Sequence, residues 1–157
     1  ISGLRSYPKN RPYYSSDFKS ELGYPLPKLM VSDGRVTLKH GGYSLCKGVG
    51  NIKRQWEFNV KKMILCDQIE GQRACEVYRT FITPFPVLLL NNSILIKGEK
   101  NQFILRWSNL KTKAIIKPIK RWIAYGNGKP AFLVRLVSKE KLPMIENVSL
   151  EVHSHTN

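Results

Sequence analysis

Acidic side chains are scarce in this 157-residue chain: 11 Asp+Glu stand against 26 Lys+Arg, a formal net charge of +15. Facing carboxylates of the kind that cleave glycosides are therefore poorly supported. Asp67, Glu70 and Glu76 lie close in sequence, but Asp67 and Glu70 read as turn residues. Histidine is limited to His40, His153 and His155. The last two sit at i, i+2 on one strand face, yet no third ligand accompanies them, so no metal is expected. His40 precedes Gly41-Gly42, and the only acid near it in sequence, Asp33, lies across a proposed turn, so it reads as a strand-end residue rather than a general base. The three cysteines, Cys46, Cys66 and Cys75, include no CxxC pair, which excludes zinc-ribbon and thioredoxin-like sites. They read as buried or half-buried thiols, with a Cys66–Cys75 bridge open to a secreted protein.

Long apolar runs are also missing. The longest stretch without charge, Thr80 to Ile96, is broken by Pro84, Pro86, Asn91 and Asn92, and a spanning helix needs about 20 mostly apolar residues. No membrane partner is expected. The opening Ile1-Ser2-Gly3-Leu4-Arg5 carries no apolar signal segment and no initiator Met, which reads as a processed start or, as the favoured reading, a cut inside a longer protein. GxSxG, HExxH, P-loop and GxGxxG motifs are absent, and Gly48-Val49-Gly50 lacks the following helix that phosphate binding requires. No catalytic residue and no cofactor are assigned.

What the chain does have is alternation. No window sustains an i, i+3, i+4, i+7 apolar pattern, whereas period two dominates from residue 29 onward. Trp56, Phe58 and Val60 alternate with polar residues, as do Phe103, Leu105 and Trp107. Val77, Arg79 and Phe81 share one strand face. Met63-Ile64-Leu65-Cys66 reads as a short buried run closed by Asp67 and by Glu70-Gly71. Ala114-Ile115-Ile116 ends at Pro118, and a separate run, Trp122 to Tyr125, follows. Residues 132–137 are apolar on both faces and are expected between layers. Turns recur every 8–12 residues, as at Ser32-Asp33-Gly34. The expectation is an all-β fold: an antiparallel two-layer β-sandwich of ten to twelve short strands over 31–157. Residues 1–30, with Pro8, Pro12, Pro25, Pro27 and four tyrosines, read as an irregular arm packed on it. Within the arm, Asp17 to Leu22 has room for one helical turn.

The positive charge selects polyanions as partners: anionic polysaccharide, nucleic acid or acidic lipid heads. Lys111, Lys113, Lys117, Lys120 and Arg121 fall in eleven residues without an acid, and Lys53-Arg54 precedes an alternating strand. Lysine and arginine can hold carboxylate or sulfate groups, arginine in bidentate fashion. Trp56 and Trp107 occupy core positions of the alternation. Trp122 follows Lys120-Arg121 and is the best candidate for an exposed stacking platform. The candidate binding residues are Lys53, Arg54, Lys117, Lys120, Arg121 and Trp122.

Several of these segments together resemble a known family. They are His40-Gly41-Gly42-Tyr43, Lys53-Arg54-Gln55-Trp56, Leu65-Cys66-Asp67-Gln68-Ile69-Glu70-Gly71, and Phe81 with Pro84. From about His40 to Val152 the chain resembles the C-terminal β-domain of the heparinase II/III-like polysaccharide lyases. The resemblance implies a bacterial enzyme, periplasmic or secreted, that cleaves uronic-acid-containing glycans by β-elimination. It implies an upstream α/α toroid carrying catalytic Asn and Tyr, and a catalytic His in an earlier motif that this chain lacks. The chain alone is then expected to be inactive, supporting the toroid and offering basic contacts to an anionic polysaccharide. Competing readings are a nucleic-acid-binding β-domain and a structural or interaction module.

Overall fold

The computed structural model describes residues 27–43, 46–124 and 126–154, and every regular element among them is a strand. In chain order these are β1 (Lys28–Ser32), β2 (Arg35–His40), β3 (Val49–Asn59), β4 (Lys62–Gly71), β5 (Ala74–Thr83) and β6 (Val87–Leu89). Then come β7 (Ser93–Lys97), β8 (Asn101–Trp107), β9 (Lys113–Ala124), β10 (Asn127–Lys141) and β11 (Met144–Ser154). Eight form one sheet in the order β1-β2-β3-β4-β11-β8-β7-β6, and three form a second, β5-β10-β9. Every pairing is antiparallel. The fold is thus the expected two-layer β-sandwich. Its first strand opens at Lys28, three residues ahead of the expected boundary. The rest of the arm, with the turn expected at Asp17 to Leu22, lies outside the described residues. Among the described residues no helix is long and apolar enough to cross a membrane.

The alternation places one face of each strand in the core. Trp56, Leu65, Ile94, Leu105, Trp107 and Val148 of the large sheet meet Phe81, Val134, Leu136 and Ile116 of the small one. A second cluster gathers Val49, Ile52, Ile69, Val77, Leu142 and Met144 near the sandwich end. Gly34, with φ of 62°, supplies the left-handed residue of the β1–β2 turn, which a side chain would resist.

Three local expectations are corrected. The Met63–Cys66 run does not close at Asp67. β4 continues to Gly71 with Leu65, Asp67 and Ile69 buried in alternation, because Asp67 finds charged partners inside. Pro118 does not divide a strand either. β9 is an edge strand, and an edge has no second neighbour needing every N–H. Finally, 132–137 lies in the centre of the small sheet, not between layers. One face enters the core, and the other, with Leu133 and Val137, is half-buried on the outside beside exposed Ile82 and Ile115.

Candidate anion-binding surfaces

The charged groups divide between the interior and the surface. Inside, β3, β4 and β11 align Arg54, Asp67 and Glu146 side by side in register, and Arg79 enters from β5 of the opposite sheet. Asp67 accepts hydrogen bonds from Arg54 Nε at 2.6 Å, Arg54 Nη2 at 2.8 Å and Arg79 Nε at 2.8 Å. Arg79 Nη1 lies 2.7 Å from Glu146 Oε2, a close ion-pair contact without hydrogen-bond alignment. Thr112 Oγ1 donates to Glu146 Oε1 at 3.2 Å. Arg79, Asp67 and Glu146 are only 1%, 2% and 4% exposed, so each charge depends on the others. Two arginines and two carboxylates balance to zero. Burial pushes the Glu146 carboxyl above its usual range, against the opposing pull of Arg79 and the Thr112 hydrogen bond. Sequence reasoning missed this network. The one trace of it was Arg79 on an apolar strand face.

Beside the network lies a cleft of about 380 Å³ walled by His40, Tyr43, Arg54, Trp56 and Tyr78. His40 there accepts a hydrogen bond at Nδ1 from the Gly42 N–H at 3.2 Å. In the neutral ring the proton then sits on Nε2, leaving no ring nitrogen free to act as a base. Burial lowers the His40 pKa, the Arg54 charge lowers it further, and Asp67 opposes both. The Tyr78 hydroxyl donates to Glu76, and this hydrogen bond raises its pKa. The cleft therefore offers a polar recess rather than a paired acid and base.

The six candidate residues do not gather in one place. Lys53 and Arg54 are neighbours in β3 and so face opposite ways. Arg54 turns inward to Asp67, while Lys53 shares the outer face of the large sheet. On β9 the same alternation separates Lys117 and Arg121 from Lys120 and Trp122. Lys117 stands opposite Leu133 and Arg121 opposite Lys129. Lys120 Nζ lies 5.1 Å from the Trp122 ring centroid, a cation–π contact. Trp122 is 63% exposed, whereas Trp107 is 7% exposed and Trp56 packs on the core. Gly128, paired with Trp122, makes room for the Lys120 stem. A Cβ there would fall 2.8–2.9 Å from three of its carbons.

Among the described residues no group of three His, Cys, Asp or Glu side chains could hold a metal ion. His155 lies outside the described residues. All three cysteines are free thiols. Cys66 and Cys75 belong to different sheets, so the bridge left open above is not formed. Burial raises the pKa of both thiols.

No family model and no curated protein matches the chain. Solved structures do. Heparan sulfate lyase HepC from Pedobacter heparinus superposes with a TM-score of 0.64 at 13% identity, over 85% of this chain and 22% of that one. A structure of heparinase III gives a TM-score of 0.62 at 17% identity, over 83% and 22%. The fold is that of a heparinase-like domain. The chain spans about a fifth of the length of the structures it matches.

Proposed function

We propose that this chain is the β-domain of a heparinase-like polysaccharide lyase acting on uronic-acid-containing glycans. The observation that carries the reading is the match itself, which covers 85% of this chain and only 22% of the lyase. In this reading a preceding α/α toroid supplies the catalytic groups for β-elimination. The β-domain supports it, adds basic contacts, and is inactive by itself. The parent protein is bacterial, and periplasmic or secreted. The ligand contacts fall to Lys53, Lys117, Lys120, Arg121 and Trp122, which stand apart from the interior ion-pair network. Arg54, held by Asp67, serves the fold instead.

The test is to express the chain alone and joined to the coding sequence that precedes it, and to follow the ultraviolet absorbance of unsaturated uronate products from heparan sulfate. Turnover only in the joined protein is expected. Turnover by the chain alone, or a preceding sequence without a helical toroid, would overturn the reading. The exposed Lys120–Trp122 pair favours one other reading, single-stranded nucleic acid bound by base stacking. A gel shift with oligonucleotides that uronate oligosaccharides fail to compete away would favour it.

A further inference from the structure

Lys28, Lys39 and Lys53 stand directly opposite one another across three consecutive strands. Lys28 pairs with Lys39 in β1 and β2, and Lys39 pairs with Lys53 in β2 and β3. Directly opposed residues share a sheet face, and like charges so placed repel and destabilise the sheet. Among the described residues nothing on this face relieves them. Among the described residues none of the three lysines forms an ion pair, although the large sheet's other paired charges do, as Arg35 does with Glu57 and Lys62 with Glu151. Glu70, the one carboxylate beside them among the described residues, is engaged by Asn51 Nδ2 at 3.2 Å. The row continues through Gln68 of β4, opposite Lys53, to Ile145 of β11, which is 68% exposed. A concavity of about 670 Å³ covers it.

We propose that this row is a binding site for an anionic polysaccharide laid across the strands. Three ammonium groups spread over two strand spacings, about 10 Å, suit a chain whose carboxylate or sulfate groups repeat along its length. Gln68 supplies a neutral donor and acceptor for hydroxyls, and Ile145 an apolar surface for a ring face. The row carries no aromatic platform, and base stacking is what single-stranded nucleic acid requires. The proposal deepens the lyase reading and rests on it for the identity of the polyanion. It adds Lys28 and Lys39, which the charge runs in the sequence did not mark, and it places the site on the large sheet, away from β9.

The experiment compares two triple variants of the whole chain on immobilised heparin and, in solution, on a single-stranded oligonucleotide. One is K28Q/K39Q/K53Q. The other, K97Q/K100Q/K111Q, removes the same three charges from exposed positions outside the row, the end of β7 and two turns. Heparin affinity should fall about tenfold or more in the first and stay within about twofold of the parent chain in the second. Melting temperature serves as the folding check, and relief of like-charge repulsion should hold or raise it in the first variant. Equal losses in the two variants would overturn the proposal, because net charge alone would explain them. A first-variant loss on the oligonucleotide as large as that on heparin would overturn it too. The lyase reading fails separately: a joined protein without turnover would leave a specific loss of heparin binding in place, and a joined protein that turns over would not rescue two equal variants.

Discussion

Asp67→Asn probes the interior network most directly. The carboxylate accepts three charge-assisted hydrogen bonds, two from Arg54 and one from Arg79. Neutralising it leaves Arg79, 1% exposed, with Glu146 as its one charged partner, on a misaligned contact. Removing one partner of a buried pair costs about 3–5 kcal/mol. Arg54 contributes less, since a third of its side chain meets solvent and water can replace the lost partner. For a chain of this size each kcal/mol moves the melting temperature by about 2–4 °C, so a drop of about 6–20 °C is expected. Glu146→Gln is the internal control. Burial already disfavours the charged Glu146, and Gln keeps an oxygen for Thr112, so its cost should stay below about 2 kcal/mol. Urea unfolding followed by tryptophan fluorescence measures both. Equal costs, or an Asp67→Asn cost under about 1 kcal/mol, would refute the assignment of Asp67 as the hub.

The pH dependence of stability should carry two opposite signatures. The raised Glu146 carboxyl binds its proton more tightly when folded, so its contribution is fully present below the unfolded carboxylate range and is lost as pH rises through the folded value. The stability of the parent chain minus that of Glu146→Gln should therefore decline as pH rises from about 4. His40 is the reverse: its lowered pKa contributes stability above the unfolded value of 6.5, lost as pH falls through the folded value. His40→Gln should flatten that slope in urea titrations, and an unchanged slope would argue against a half-buried imidazole. Gly128→Val should push the Lys120 stem off Trp122, seen as altered Trp122 fluorescence in a Trp56→Phe background, with a melting temperature close to that background's. Leu136→Ala, at a fully buried site between the layers, should cost about 3–5 kcal/mol by urea titration.

Strand content and core faces were legible because period two is a local property. Trp107 and Leu105 show it in β8, and Val134 and Leu136 in β10. Asp67 was not legible. An acid four residues before a glycine looks like turn chemistry unless it is known that Arg54 and Arg79 arrive from other strands. Pro118 misled for a similar reason, since its cost depends on whether β9 has one neighbour or two. The candidate site suffered most. Lys53-Arg54 and Lys120-Arg121-Trp122 are clusters in sequence, but strand alternation sends adjacent side chains to opposite faces. Lys28 and Lys39 are separated from Lys53 by turns and strand lengths, and only the pairing register aligns them.

The interior quartet of Arg54, Arg79, Asp67 and Glu146 has an effect at a distance. Because it is formally neutral as a unit, burying it leaves the chain's net charge of +15 unchanged. Material released from lysed cells will carry adsorbed polyphosphate and RNA through purification unless salt screens them off. A high 260-to-280 nm absorbance ratio that collapses after a high-salt wash is thus the handling behaviour to expect of this protein.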